Sequence, residues 1–116
     1  MTDTTLDTFD APDRPQVATF ETDELTALCP FDFGGPDFYR LTLRYEPDRL
    51  AVESKSLKQY IESWRDTEIT AEELADAIYA DVADAINPTR LYVRLEQARR
   101  GGIEETVEVG DRELHR

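Results

Sequence analysis

The chain has one cysteine, one histidine and, among its 13 cationic residues, only two lysines. A lone cysteine excludes an internal disulfide. With His115 as the sole histidine, a zinc site of the usual Cys/His kind cannot be built, and Ser/His or Cys/His catalytic pairs are excluded. His115 itself reads as a tail residue. No apolar run is long enough to span a membrane and no signal peptide fits the N-terminal sequence, so a soluble, cytoplasmic protein is expected. The 116 residues make one domain of common size. Residues 1–15, rich in Thr, Asp and Pro, read as a disordered acidic tail, with a single domain over 16–116.

The formal net charge of −13 argues against nonspecific binding of nucleic acid or anionic membranes, because the whole-molecule field repels phosphate. An acidic, lysine-poor surface also fits a halophilic protein, in which salt screens the self-repulsion. Against that background the two lysines stand out. Lys55 and Lys58 fall together in Val52-Glu53-Ser54-Lys55-Ser56-Leu57-Lys58, while every other cation is arginine. An ammonium is compact where arginine's fork is planar, so the placement points to an anionic ligand. Ser54 is a good N-cap, and Leu57, Tyr60, Ile61 and Trp64 recur at helical spacing, which predicts a helix from just after Glu53 to about Arg65. Lys55 in its first turn opposes the helix dipole unless a bound anion such as phosphate reverses the sign. The alternative is a solvated face with Lys58 paired to Glu62.

Tyr39, Leu41, Leu43 and Tyr45 alternate with Arg40, Thr42 and Arg44, the period of a half-buried strand. Glu46-Pro47-Asp48-Arg49 reads as a turn, and Leu50-Ala51-Val52 as a short return strand completing a hairpin. Thr70 and Glu73 have capping-box spacing, Leu74, Ile78, Val82 and Ile86 form an apolar stripe, and Asn87-Pro88 ends a second helix. Leu91, Val93 and Leu95 alternate again, and Ile103, Val107 and Val109 give a weaker last strand. The order β-β-α-α-β-β predicts an α+β fold, a four-stranded antiparallel sheet with both helices on one face. Its other face and its edges need water or further subunits.

Cys29 precedes Pro30 on a loop that runs through Gly34-Gly35 to Asp37 at the mouth of a strand. A thiol on such a loop can serve as a nucleophile with the carboxyl as its proton donor. Equally, free cysteine is among the most buried residue types, and Asp37 can be a strand-entry cap. Both readings stand on these residues alone.

Ala27-Leu28-Cys29-Pro30, Pro36-Asp37-Phe38, the lysine segment, Ser63-Trp64-Arg65 and Arg100-Gly101-Gly102-Ile103 occur in the order found in one family. Over Phe20 to Gly102 the chain resembles the NADPH-dependent 7-cyano-7-deazaguanine reductases, QueF, of the tunnelling-fold superfamily. The resemblance implies that Cys29 adds to a nitrile to form a thioimide and that Asp37 donates the proton. It implies substrate contacts at Val52, Glu53, Ser54, the position of Ala71, and Glu72, and NADPH contacts at Ser54, Lys55, Lys58, Arg100 and Gly101. It further implies two hydride transfers giving the aminomethyl product for tRNA modification, in pentameric rings stacked face to face with sites between subunits. The chain departs from the family pattern in two places. The Cys29–Asp37 loop is longer than usual, and Ala71 stands where the family has histidine before the substrate-binding glutamate. A related archaeal branch keeps the cysteine and aspartate but forms the archaeosine amidine on tRNA and lacks the lysine motif. That amidine-forming transferase, or a non-catalytic purine-binding subunit, is the alternative to the reductase.

Overall fold

A computed structural model describes residues 5–31 and 36–114. The expectations for Gly34-Gly35 and His115 fall outside these residues. In chain order the elements are β1 (Thr8–Asp10), β2 (Ala18–Leu28), β3 (Pro36–Glu46), β4 (Leu50–Val52), α1 (Ser54–Glu62), α2 (Ala71–Ile86), β5 (Arg90–Arg100) and β6 (Ile103–Gly110), closed by a short 3₁₀ turn at Arg112–Leu114. An antiparallel sheet of order β2-β3-β5-β6 carries both helices on one face, and β1 and β4 form a separate two-stranded pair.

The helices form where their caps and stripes place them. At α2 the capping box is complete: Thr70 Oγ1 accepts from the Glu73 N–H at 3.1 Å and the Glu73 carboxylate reaches back to Thr70. Asn87, with φ of 44°, takes the left-handed conformation that ends the helix before Pro88. Leu74, Ile78, Val82 and Ile86 then face the sheet, against Leu41, Leu43, Val93 and Leu95, all essentially without solvent contact. Truncating a leucine or isoleucine among these to alanine costs about 2–5 kcal/mol. α1 lies over β2 and ends at Glu62, earlier than its apolar spacing predicts. Trp64 remains buried beyond that end, edge-on to Tyr60 with ring centroids 6.1 Å apart.

Three expectations change. The hairpin of the main sheet is β2–β3, not Tyr39–Tyr45 with Leu50–Val52: β3 already has β2 on one side and β5 on the other, so β4 finds no free edge there. It pairs instead with β1, matching Thr8 to Val52 and Asp10 to Leu50. Within the segment read as a disordered tail over 1–15, the described residues therefore include a paired strand and a buried Leu6, and residues 1–4 lie outside the described residues. Lastly, the N-cap of α1 is Glu53, not Ser54.

On the face away from the helices, Arg40, Thr42 and Arg44 lie opposite Glu96, Arg94 and Tyr92 in register. Arg40 bonds Asp23 at 2.8 Å and Tyr92 donates to Glu108 at 2.5 Å. β2 and β6 are the sheet's edges. No helix among the described residues is long and apolar enough to cross a membrane.

Candidate active site

The site lies where the apolar stripes of the sheet run out. Asp37 is in phase with Tyr39, Leu41 and Leu43 on β3, Gln97 with Leu91, Val93 and Leu95 on β5, and Glu105 with Ile103, Val107 and Val109 on β6. Strand alternation therefore turns three polar side chains toward the helix layer at one end of the sheet. Neighbouring backbone bonds bring α2 to meet them. Leu28 N–H donates to Thr67 O at 2.9 Å and Ile69 N–H donates to Leu28 O at 3.0 Å, so the strand carrying Cys29 is stitched beside the residues that enter α2. Opposite, the turn Arg100-Gly101-Gly102-Ile103 joins β5 to β6 with φ of 58° and 82° at its two glycines, a left-handed pair that residues with a Cβ rarely adopt.

Together these segments line an open cavity of about 730 Å³. Cys29 and Asp37 enter it from the ends of β2 and β3, Ala71 and Glu72 from the first turn of α2, and Arg100, Gly101 and Glu105 from β5 and β6. Cys29 is half-buried and reduced. Asp37, only 4 % exposed, is ion-paired with the Arg100 guanidinium. That pairing satisfies a buried charge that would otherwise be costly.

Glu72 and Glu105 meet on the wall of this cavity. Glu72 is held below the usual carboxylate range by the Glu105 carboxyl beside it and by its own backbone N–H, at a helix start where negative charge is favoured. Glu105 is pushed up to about 7 by Glu72 beside it, by burial, and by the Asp37 charge. Beside them Tyr39 is 2 % exposed, and its hydroxyl has no hydrogen-bond partner among the described residues. Burial, and then the Asp37 charge, push its pKa upward, so it stays a donor.

Within one chain the lysine segment does not line this cavity. Val52 is buried and its N–H donates to Tyr45 Oη at 2.9 Å. The Glu53 carboxylate accepts from the Lys55 and Ser56 N–H groups, both at 2.8 Å, and those bonds depress its pKa. The amides expected to hold phosphate at the start of α1 are thus already taken by the chain's own carboxylate. Ser54 and Lys58 border a different hollow of about 230 Å³, with Glu21 and Glu24 of β2 and Glu62 of α1. The Lys58–Glu62 pair allowed by spacing does not form: no ion pair among the described residues involves either lysine.

Of the expected residues, then, Cys29, Asp37, Ala71, Glu72, Arg100 and Gly101 converge, and Val52, Glu53, Ser54, Lys55 and Lys58 do not join them. Glu105, Gln97 and Tyr39 were not foreseen. The signal for Glu105 is a carboxylate in the apolar phase of a strand, between Ile103 and Val107.

Fold and site together define an α+β protein with a thiol, a buried carboxylate and an acceptor carboxylate gathered at the end of the helix layer. The family model described as QueF-like protein matches residues 36–115. The NADPH-dependent 7-cyano-7-deazaguanine reductase of Syntrophus aciditrophicus (strain SB) is 43% identical over 97 residues, covering 84% of this chain and 69% of that protein. The protein of the same name from Chlorobaculum tepidum is 40% identical over 98 residues, covering 84% of this chain and 83% of its own length. A crystal structure of the archaeosine synthase QueF-Like in the apo form superposes with a TM-score of 0.78 at 24% identity, over 84% of this chain and 95% of that one. At that identity the likeness speaks to the fold alone. The chain belongs to the QueF family.

Proposed function

We propose that this protein is an NADPH-dependent reductase that converts the nitrile of 7-cyano-7-deazaguanine to an aminomethyl group, as the names of its relatives indicate for them. The observation that carries the reading is one cavity lined by Cys29, Asp37 and Glu72. Glu72, anionic at a helix start, accepts the paired N–H groups of the guanine-like ring and orients it. The Cys29 sulfur adds to the nitrile carbon. Asp37 takes the thiol proton and delivers it to the nitrile nitrogen, giving a thioimide. Arg100, ion-paired with Asp37, holds its carboxyl in place between these transfers.

The donor chemistry fits a phosphate-bearing cofactor. Lys55 and Lys58 are exposed ammonium groups outside ion-pair distance of any described carboxylate, and they are the residues that would hold it, with Ser54, Arg100 and Gly101. When bound, NADPH supplies hydride, and two are needed to reach the amine. Because Ser54 and Lys58 border a different hollow from Cys29 in one chain, a second copy completes the site, in a ring. Exposed Phe31 and Ile103 at the rim of the Cys29 cavity, and two unpaired sheet edges, support such an assembly. The setting is cytoplasmic, and the acidic surface is that of a protein working in high salt.

The test is incubation with the nitrile in concentrated salt, with and without NADPH. A mass increase of one substrate at Cys29, followed by NADPH oxidation, supports the reductase. Adduct without oxidation, but with consumption of an amine donor, replaces it with the amidine-forming transferase. Light scattering in the same salt reads the assembly, and a clean monomer removes the shared site.

A further inference from the structure

Two carboxyl groups that share one site repel when both are ionised, so one of them favours its proton. Glu72 and Glu105 are such a pair, from different elements, on the wall of the cavity that contains Cys29. The fold decides which one keeps the proton. Glu72 stands in the first turn of α2 and accepts from its own backbone N–H, so the helix end holds it as the anion. Glu105 is half-buried on β6, facing Glu72 of α2, Asp37 and Tyr39 of β3, Arg100 and Gln97 of β5, and Cys29 beyond β2. Among the described residues lining the cavity the one cation is Arg100, which is ion-paired with Asp37. The wall therefore offers an acceptor at Glu72 beside a donor at Glu105. A guanine-type ring offers the complement along one edge, with two adjacent N–H donors and a carbonyl oxygen.

We infer that Glu105 is a specificity-determining residue of this cavity, its protonated carboxyl donating to the ring carbonyl while Glu72 accepts the neighbouring N–H groups. The inference rests on the proposed reading that the cavity binds a 7-deazaguanine. It assigns Glu105 a task that alanine at position 71 cannot perform, that of a proton-bearing group beside the substrate-binding glutamate. A ring with an amino group in place of the carbonyl would set donor against donor there, so the same residue rejects adenine-type bases.

The test uses 7-deazaguanine, the parent ring without the nitrile, so that recognition is read apart from covalent chemistry. Binding to the full-length protein is measured by calorimetry in concentrated salt between pH 6 and pH 9. With Glu105 titrating near 7, affinity should be level below that pH and fall by up to tenfold per unit above it, because the bound form must keep the proton. Glu105→Gln retains an N–H donor and should bind with a level profile throughout. Glu105→Ala should bind weakly at every pH. Repeating the series in Cys29→Ala separates ring recognition from any contribution of the sulfur. A level wild-type profile, or a wild-type slope persisting in Glu105→Gln, overturns the inference. If the nitrile still forms its Cys29 adduct in that case, the proposed function survives. Failure of wild type to bind the ring at any pH, together with no adduct, overturns both.

Discussion

The two helices begin in opposite ways. At α2 the cap comes from Thr70 and Glu73, which satisfy each other's backbone groups and leave Glu72 between them free to face the cavity. At α1 the cap is Glu53, whose carboxylate takes the Lys55 and Ser56 N–H groups for itself. A helix start is an anion site only if its amides are vacant. α1 is therefore not a ready-made phosphate cradle, and any anion recruited there must be held by the lysine side chains. α2 instead uses its dipole to keep a ligand-facing carboxylate charged.

Substitution can break this contrast. The largest effect is expected at Cys29: Cys29→Ala should give no mass increase with the nitrile, whereas Lys55→Ala should form the full adduct. Next, Glu72→Gln removes a charged acceptor of two N–H groups, each such bond being worth about 1.5–3 kcal/mol. Even with partial compensation by the amide, base affinity should drop by roughly 10–100-fold, read as a rise in KM for the nitrile. Lys55→Ala loses one charge-assisted bond to phosphate, so KM for NADPH should rise about tenfold with adduct formation unchanged. If Lys55→Ala abolishes the adduct instead, the two helix starts are not separable in function.

Smaller effects sharpen the same comparison through stability. Thr70→Ala removes the α2 cap and should cost about 1 kcal/mol in a denaturant titration. The carboxyl pair adds a pH signature. Glu105 keeps its proton up to about 7 in the folded chain, against an ordinary 4.5, so its stabilisation is full below 4.5 and is lost as pH rises through 7. Thermal melts of wild type relative to Glu105→Gln should show that advantage shrinking across this window and level above it.

Much of this was legible in advance for a physical reason: caps and stripes are local. Thr70, Glu73, the Leu74–Ile86 stripe and the alternation of Tyr39–Tyr45 declare their elements without reference to the rest of the chain. β2 was hidden because its register shifts between Thr22 and Leu25, so its inward positions move from Ala18, Phe20 and Thr22 to Leu25 and Ala27 and the period of two is lost. β1 was hidden because all its side chains are exposed. Cys29 and Asp37 stand out by their loop as well as by family resemblance, Glu72 by resemblance alone, and their convergence needs the Leu28–Ile69 stitching, which no local pattern announces.

β1 has a consequence of its own. What it gives the molecule is almost entirely main chain: Glu53 N–H to Asp7 O at 2.9 Å, Ala11 N–H to Arg49 O at 2.9 Å, and Asp7 N–H to Ser56 Oγ at 2.9 Å, with Leu6 the one buried side chain. Main-chain bonds are indifferent to which side chains accompany them. The stretch is therefore tolerant of substitution and intolerant of deletion, free to drift in composition so long as its length and path are kept. Its composition looks dispensable, yet it works as a strap across the residues that open α1, and removing it would loosen the lysine segment while leaving the cysteine end of the molecule intact.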